Sequence, residues 1–216
     1  GAGQVEYQAL VRINLCVSEG KLPSVPNLVA AFERAKKGSG KLHLFGLLSD
    51  GGVHSHIDHL ASLPIYVDNV YMPGPECPTI YGGPETLDCV QKHIFNDVLW
   101  PDMVRLSGEE TPFLKLTQLS AENPVQVGNL TITPVPLNHV VPTFGFLLDD
   151  GEIAVAIVSD TSPTHEIWEI ANSLPDLKAV FLEASFPNSF EWLAEKAAHL
   201  TPNLFKGEVA KLKQDV

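Results

Sequence analysis

The segment His54-Ser55-His56-Ile57-Asp58-His59 restricts this chain more than any other stretch. Its H-x-H-x-D-H spacing is that of a two-metal site, and imidazole and carboxylate are the usual ligands of zinc and related divalent ions. On an extended backbone side chains alternate, so His54, His56 and Asp58 project to one side. His59, at the mouth of a following helix, can turn toward a second ion. Two ions a few ångströms apart need ligands divided into such halves. The bland alternative is a polar loop of solvated histidines, since this residue is commonly exposed or half-buried. Ligands further along the chain decide between the two.

Ahead of the motif, Leu10, Ile13 and Val17 stand at helical spacing within residues 4–19, and Gly20 is a helix stop. A second helix starts after Pro26, with Asn27 near its cap, and runs to about Lys37. Its apolar positions form one face. Residues 41–48 read as a buried strand, and 49–53 as a glycine-containing turn that feeds the histidines. Helix, strand and glycine loop in that order suggest a parallel α/β layer, where sites form at the carboxyl ends of strands.

Downstream, 61–67 reads as a turn and a strand, and 79–81 as a small strand. Pro84 opens a helix to about Asn96, with Glu85 near its positive end. Residues 100–112 look like loop. Residues 114–119, 125–127 and 130–136 are expected as strands of one sheet, and Asn138-His139 follows the third. Strands at 144–148 and 153–159 flank Asp149-Asp150-Gly151, a strong hairpin signal. The second of them delivers Asp160. Thr164 is the expected cap of a helix, 178–183 is a buried strand, and a helix from about Ser189 leads to His199-Leu200-Thr201-Pro202. A last amphipathic helix runs to about Lys213. Taken singly, His139 reads as an ordinary interior or surface histidine, Asp160 as a turn or cap residue, and His199 as a polar helix end.

Charge narrows the functional classes. Across 216 residues the formal net charge is -12 and the pI about 5.0, which argues against binding a nucleic-acid backbone. Bound divalent cations would offset part of that charge locally. Cys16, Cys77 and Cys89 are odd in number and form no C-x-x-C pattern, so reduced thiols of a cytosolic protein are expected. No apolar run reaches about 18 residues, and no charged-then-apolar leader opens the sequence. A cytoplasmic protein with no membrane association is the expectation.

Two family resemblances sharpen this. Residues 7 to about 60, carrying Tyr7-Gln8-Ala9-Leu10-Val11-Arg12-Ile13-Asn14 and Gly46-Leu47-Leu48-Ser49-Asp50-Gly51-Gly52-Val53 followed by the histidine motif, resemble cofactor-independent phosphoglycerate mutase. The resemblance implies a piece of that family's substrate-holding domain, in which a histidine at the position of His54 contacts the phosphoglycerate. The family's metal ions and nucleophilic serine belong to a separate domain that nothing here is similar to, so mutase activity is not expected.

Residues 54 to 213 resemble the class II cyclic-nucleotide phosphodiesterases of the metallo-β-lactamase superfamily. The resemblance rests on Asp58-His59-Leu60-Ala61-Ser62-Leu63-Pro64, Ser159-Asp160-Thr161, Glu183-Ala184-Ser185-Phe186-Pro187-Asn188 and His199-Leu200-Thr201-Pro202. It implies an α/β fold, a metallo-β-lactamase-like αββα sandwich. That sandwich would be incomplete, a helix–helix–strand unit replacing its usual first strands. A mutase-like fragment over 1–60 and a phosphodiesterase-type portion over 61–216 would then merge into one domain. The resemblance further implies that His54, His56 and His139 bind one ion, that Asp58, His59 and His199 bind a second, and that Asp160 bridges them. Asp58 is carried over as catalytic as well as ligating. The cofactor would be two zinc ions, with manganese or iron as alternatives, and a hydroxide held between them would attack a small-molecule phosphodiester. Glu183 stands open as either a support for the ligands or a structural carboxylate. Replaced scaffold leaves apolar surface and sheet edges to cover, which homodimerisation would do. A reading from another class is a catalytically silent joining of two families.

Overall fold

A computed structural model describes residues 16, 19–21, 24–37, 73–75, 77–108, 110–121 and 123–213. The histidine motif at 54–59 lies outside the described residues, as do the expected strands at 41–48 and 61–67 and most of the expected helix over 4–19. The chain divides into two compact units, Gly1–Thr79 with Cys89–Lys115, and Ile80–Asp88 with Leu116–Val216. Among the described residues no helix is long and apolar enough to cross a membrane.

Helix α1 (Pro26–Lys37) begins with a proline, whose fixed φ and missing N–H suit the first turn. Strand β1 (Thr79–Gly82) precedes α2 (Pro84–His93). Helix α2 stops short of Asn96 because the Ile94 and Phe95 N–H groups both fold back on the Val90 carbonyl, at 3.1 Å each. Asn96 then accepts from the Val98 and Leu99 N–H groups and turns the chain. Residues 100–112, expected as loop, contain the short helix α3 (Met103–Leu106). Its cap is Asp102, whose carboxylate accepts from the Arg105 N–H at 2.9 Å.

Strand β2 (Lys115–Gln118) pairs with β1 and not with the two strands that follow, which corrects the expectation of one common sheet. An isolated Ser120–Asn123 bridge turns the chain ahead of Pro124 and separates the sheets. The larger sheet has the order β3-β4-β5-β6-β7. Strands β3 (Val125–Val127) and β4 (Leu130–Pro136) form a hairpin whose first loop residue, Gly128, has φ +66°, a conformation glycine adopts without a Cβ penalty. Strand β5 (Phe144–Asp149) pairs antiparallel with both β4 and β6 (Ala154–Ile157). The expected turn closes β5 and β6, with the Asp150 carboxylate accepting from the Ile153 and Glu152 N–H groups at 2.8 and 3.0 Å. Those N–H groups hold the Asp150 carboxyl below its ordinary value.

Strand β7 (Leu177–Phe181) lies parallel to β6 after a crossover through helix α4 (Glu166–Ala171), and is shorter than the expected 178–183. A parallel return needs such a crossover. The core lies between this helix and the sheet: Val135, Leu147, Ala154, Ala156 and Leu177 meet Ile167, Trp168 and Ala171. Each large apolar side chain buried there contributes roughly 1.5–3 kcal/mol. Gly145 lets the helix come this close, since a Cβ there would stand 2.5 Å from Ile167 Cδ1 and 3.2 Å from the Ile157 carbonyl.

Thr164 does not cap α4, whose N-cap is His165. Its N–H instead donates to Glu208 at 3.3 Å. A 3₁₀ turn (Asn188–Phe190) leads into α5 (Glu191–Ala197). The last helix, α6 (Pro202–Val209), is capped by the Thr201 hydroxyl and ends before Lys213, as its final N–H groups close a turn at Ala210 to Leu212.

Candidate metal centre

Strand direction assembles the site. Because β5 is antiparallel to both β4 and β6, those two run the same way, and β7 is parallel to β6. The carboxyl ends of β4, β6 and β7 therefore emerge at one edge of the sheet. His139 leaves from β4, Asp160 from β6, and Glu183 from β7, each two or three residues past the strand. Carboxyl ends of strands are where open α/β sheets gather their ligands.

Two loops are laced together at that edge. The Ser162 N–H donates to the Asn138 carbonyl at 2.7 Å, the Ser162 hydroxyl donates to the same oxygen at 3.0 Å, and the Asn138 N–H reaches the Thr161 hydroxyl at 3.3 Å. Thr161 is fully buried. These bonds fix the spacing between the residues that follow and precede them, His139 and Asp160.

His199 arrives from the other side, between α5 and α6. Ala198 ends α5 in the left-handed conformation (φ 52°, ψ 53°), which costs an L-residue roughly 1–2 kcal/mol. That reversal turns the chain so that the Ala198 carbonyl meets His139 Nδ1 at 3.0 Å while the next residue, His199, points into the cluster. The two imidazoles stand edge to face, 4.9 Å between centroids. Phe186 covers His199 from a third direction at 5.6 Å.

Donor atoms of His139, Asp160 and His199 all lie within 4.8 Å of one another. His199 is buried and the other two are half-buried. Two imidazoles and a carboxylate are a nitrogen–oxygen set suited to zinc, manganese or iron. Glu183 stands beside them, its Oε1 3.0 Å from His199 Nδ1 and 3.1 Å from the Leu200 N–H, and its Oε2 taking the Ser185 hydroxyl. A ligating histidine whose second nitrogen is held by a carboxylate or carbonyl is the usual arrangement around a metal ion, and both histidines here have it. The cluster therefore fits a divalent ion.

Of the residues the sequence singles out, His139, Asp160 and His199 are brought together. His54, His56, Asp58 and His59 lie outside the described residues. The sequence left Glu183 open, and the structure puts it against His199. It gave no sign of the Ala198 carbonyl, since a backbone oxygen becomes a site group only through the left-handed turn that aims it. The three cysteines are unpaired, Cys77 buried and Cys89 exposed.

The fold defined by this sheet and its edge cluster is that of the metallo-β-lactamase proteins. The chain superposes on unliganded yeast PDE1 with a TM-score of 0.57 and 25% identity, over 73% of this chain and 49% of that one. On the metallo-β-lactamase fold protein YhfI from Bacillus subtilis the TM-score is 0.51 at 17% identity, over 74% of this chain and 57% of that one.

Two family models match the sequence. Residues 52–148 match the class-II cAMP phosphodiesterases, and residues 13–71 match the N-terminus of the BPG-independent phosphoglycerate mutases. The two matches overlap at 52–71, the stretch that holds the histidine motif. The 2,3-bisphosphoglycerate-independent phosphoglycerate mutase of Caenorhabditis elegans is 60% identical over 63 residues, 29% of this chain but 12% of the mutase. The mutase of Onchocerca volvulus gives the same identity and coverage. The chain thus spans about an eighth of the curated relatives it matches.

Proposed function

We propose that this chain hydrolyses a small-molecule phosphodiester, a cyclic nucleotide or a close analogue, in a reaction that depends on two divalent metal ions. The coarser statement, a metal-dependent phosphoesterase-like function, is supported by the family match over 52–148, by the fold shared with yeast PDE1, and by the edge cluster. The observation that carries the finer reading is the convergence of His139, Asp160 and His199 at one sheet edge. His54, His56 and His139 would hold one ion, Asp58, His59 and His199 the other, and Asp160 would lie between them. Zinc is the proposed metal, with manganese or iron as alternatives. Such ions supply an activated water and neutralise phosphate charge.

The chain's own groups then have separable tasks. Asp160 brings negative charge to the cluster's centre, Asp58 serves as ligand and catalytic carboxylate, and Phe186 shields His199 from water. Acidic net charge suits a small ligand drawn to the ions and not a polyanion drawn to the surface. A cytoplasmic location and a homodimer, formed through exposed apolar residues such as Phe181 and Trp192, complete the proposal. So does the division into a mutase-like fragment, 1–60, and a phosphodiesterase-type portion, 61–216.

The test is hydrolysis of bis(p-nitrophenyl) phosphate and of cyclic AMP with added zinc or manganese, before and after chelation. Metal-dependent turnover, abolished by chelator and restored by metal, is expected. No turnover with either metal would overturn it. A second reading, a catalytically silent joining of two families, is favoured by the overlap of the two family matches over the same motif. It expects full folding with no turnover.

A further inference from the structure

We infer that Thr161 and Ser162 are positioning residues: their contacts with Asn138 draw the loop of His139 onto the loop of Asp160 and set the spacing of those two ligands before an ion arrives. The inference rests on the metal-dependent reading above. The sheet by itself does not bring the two ligands together. Strand β5 lies between β4 and β6, so the exits of β4 and β6 are two strand spacings apart, roughly 9–10 Å. Yet donor atoms of His139 and Asp160 lie within 4.8 Å of each other. The gap is closed beyond the strands, across the start of β5, by bonds that run from one loop to the other. The Asn138 carbonyl takes the Ser162 N–H at 2.7 Å and the Ser162 hydroxyl at 3.0 Å. The Asn138 N–H donates to the Thr161 hydroxyl at 3.3 Å, and its side-chain amide reaches the Pro163 carbonyl at 3.4 Å.

The lace acts on the ligands at the shortest possible lever arm. His139 is the residue after Asn138, and Asp160 is the residue before Thr161, so a shift in the lace moves both ligands with it. The His139 loop is itself closed, since the Leu137 N–H donates to the Thr143 carbonyl at 2.9 Å. Asn138 is exposed and contributes mainly through its backbone, which any residue supplies. Thr161 and Ser162 contribute hydroxyls, which only their side chains supply. The Thr161 hydroxyl accepts from Asn138 and donates to the Ser162 carbonyl at 2.7 Å, a double role that a hydroxyl fills and a methyl cannot. Thr161 is fully buried, so no water stands ready to replace it. Ligands of a metal ion must be held to a fraction of an ångström, and this pair of loops is where that precision is set.

The experiment measures zinc binding to metal-stripped protein by competition with a chromophoric chelator, with urea unfolding of the metal-free protein alongside. Thr161→Val is expected to weaken zinc binding about tenfold, the scale of a buried hydroxyl's lost bonds. Thr161→Ser keeps the hydroxyl and is expected to restore most of the affinity. Ser162→Ala keeps the backbone bond to Asn138 and is expected to lose about threefold. Glu208→Ala is the control for stability alone: it should lower the unfolding midpoint while zinc affinity in the folded fraction is unchanged. In a His139→Ala background, which removes a ligand that the lace places, Thr161→Val is expected to add little further loss. Zinc bound as tightly by Thr161→Val as by the wild type would overturn the inference alone. An equal loss of affinity in Glu208→Ala, or a full tenfold loss in the His139→Ala background, would do the same, since either makes the role merely structural. A wild-type protein that binds no zinc would overturn the metal-dependent reading and this inference together. Should Thr161→Val fail to fold, Ser162→Ala, alone and combined with His139→Ala, decides on the same terms.

Discussion

Glu183 and Glu208 are two carboxylates of the same unit, each surrounded by donors, and the identity of those donors separates a site from a strut. Glu208 is 2% exposed and accepts from the Trp168 indole N–H at 2.7 Å, from the Thr164 N–H, and from Lys211 Nζ at 2.6 Å. Lys211 also donates to the Thr164 carbonyl. Its ammonium balances the carboxylate on the spot, so burial is tolerated and the network ties α6 to the start of α4. Glu183 has an imidazole, a backbone N–H and a hydroxyl. That set orients a ring that itself faces Asp160 and His139. Both carboxylates are nearly saturated with hydrogen bonds, and the difference lies in whether the partner can do anything further.

Substitutions can break this contrast, and the largest effect is expected at the sheet edge. Asp160→Ala or His199→Ala should reduce metal-stimulated phosphodiester hydrolysis to the uncatalysed background, and for the buried His199 the loss of its Glu183 contact should also lower the unfolding midpoint. A variant that retains turnover would remove these residues from the site. Next comes the strut. Glu208→Ala leaves Lys211 and the Trp168 N–H without their carboxylate and should cost about 3–5 kcal/mol, the scale for breaking a buried pair. Urea unfolding reads this, and zinc binding should survive in whatever fraction stays folded.

Two smaller changes sharpen the same line. Gly145→Ala forces a methyl against Ile167 and should destabilise by about 1–3 kcal/mol, since overpacking strains both helix and strand. Ala198→Gly should act oppositely, stabilising by about 1 kcal/mol through relief of the left-handed conformation, with zinc affinity retained because the carbonyl remains. A fall in affinity there would mean that the methyl, and not the carbonyl, matters. The smallest effect belongs to the exposed hairpin. The Asp150 carboxyl is held below its ordinary value by the Ile153 and Glu152 N–H groups. Its contribution is therefore present above that ordinary value and fades as pH falls through the lowered one, and Asp150→Ala should remove that part of the acid limb of a stability–pH curve.

Much of the fold's local pattern was legible from side chains alone. Alternation and turn residues located β3 to β6, because Gly128-Asn129 and Asp149-Asp150-Gly151 have few conformations other than tight turns. Pro26 and Pro84 marked helix starts for the same reason, a fixed φ and no N–H to lose. Boundaries were less legible. Helix α2 ends at His93 because two N–H groups choose one carbonyl, and α3 exists because Asp102 and Asp97 gather donors that 100–112 does not advertise by periodicity. Thr164 looked like a cap, but its N–H serves Glu208, a residue far along the chain that only folding brings near.

The amino-acid sequence by itself determined which chemistry is available here: an excess of acid, histidines and aspartates in contexts shared with class-II phosphodiesterases, and an N-terminal stretch shared with a mutase. Residue types and spacing are local properties, so they survive without a fold. Tertiary structure decided which of these groups meet. Strand direction set three carboxyl ends on one edge, the left-handed turn at Ala198 aimed a carbonyl that no sequence pattern marks, and Glu183 rather than Glu208 came to rest against an imidazole. Those outcomes depend on contacts between residues far apart in the chain, which exist only once the core beneath the sheet has closed.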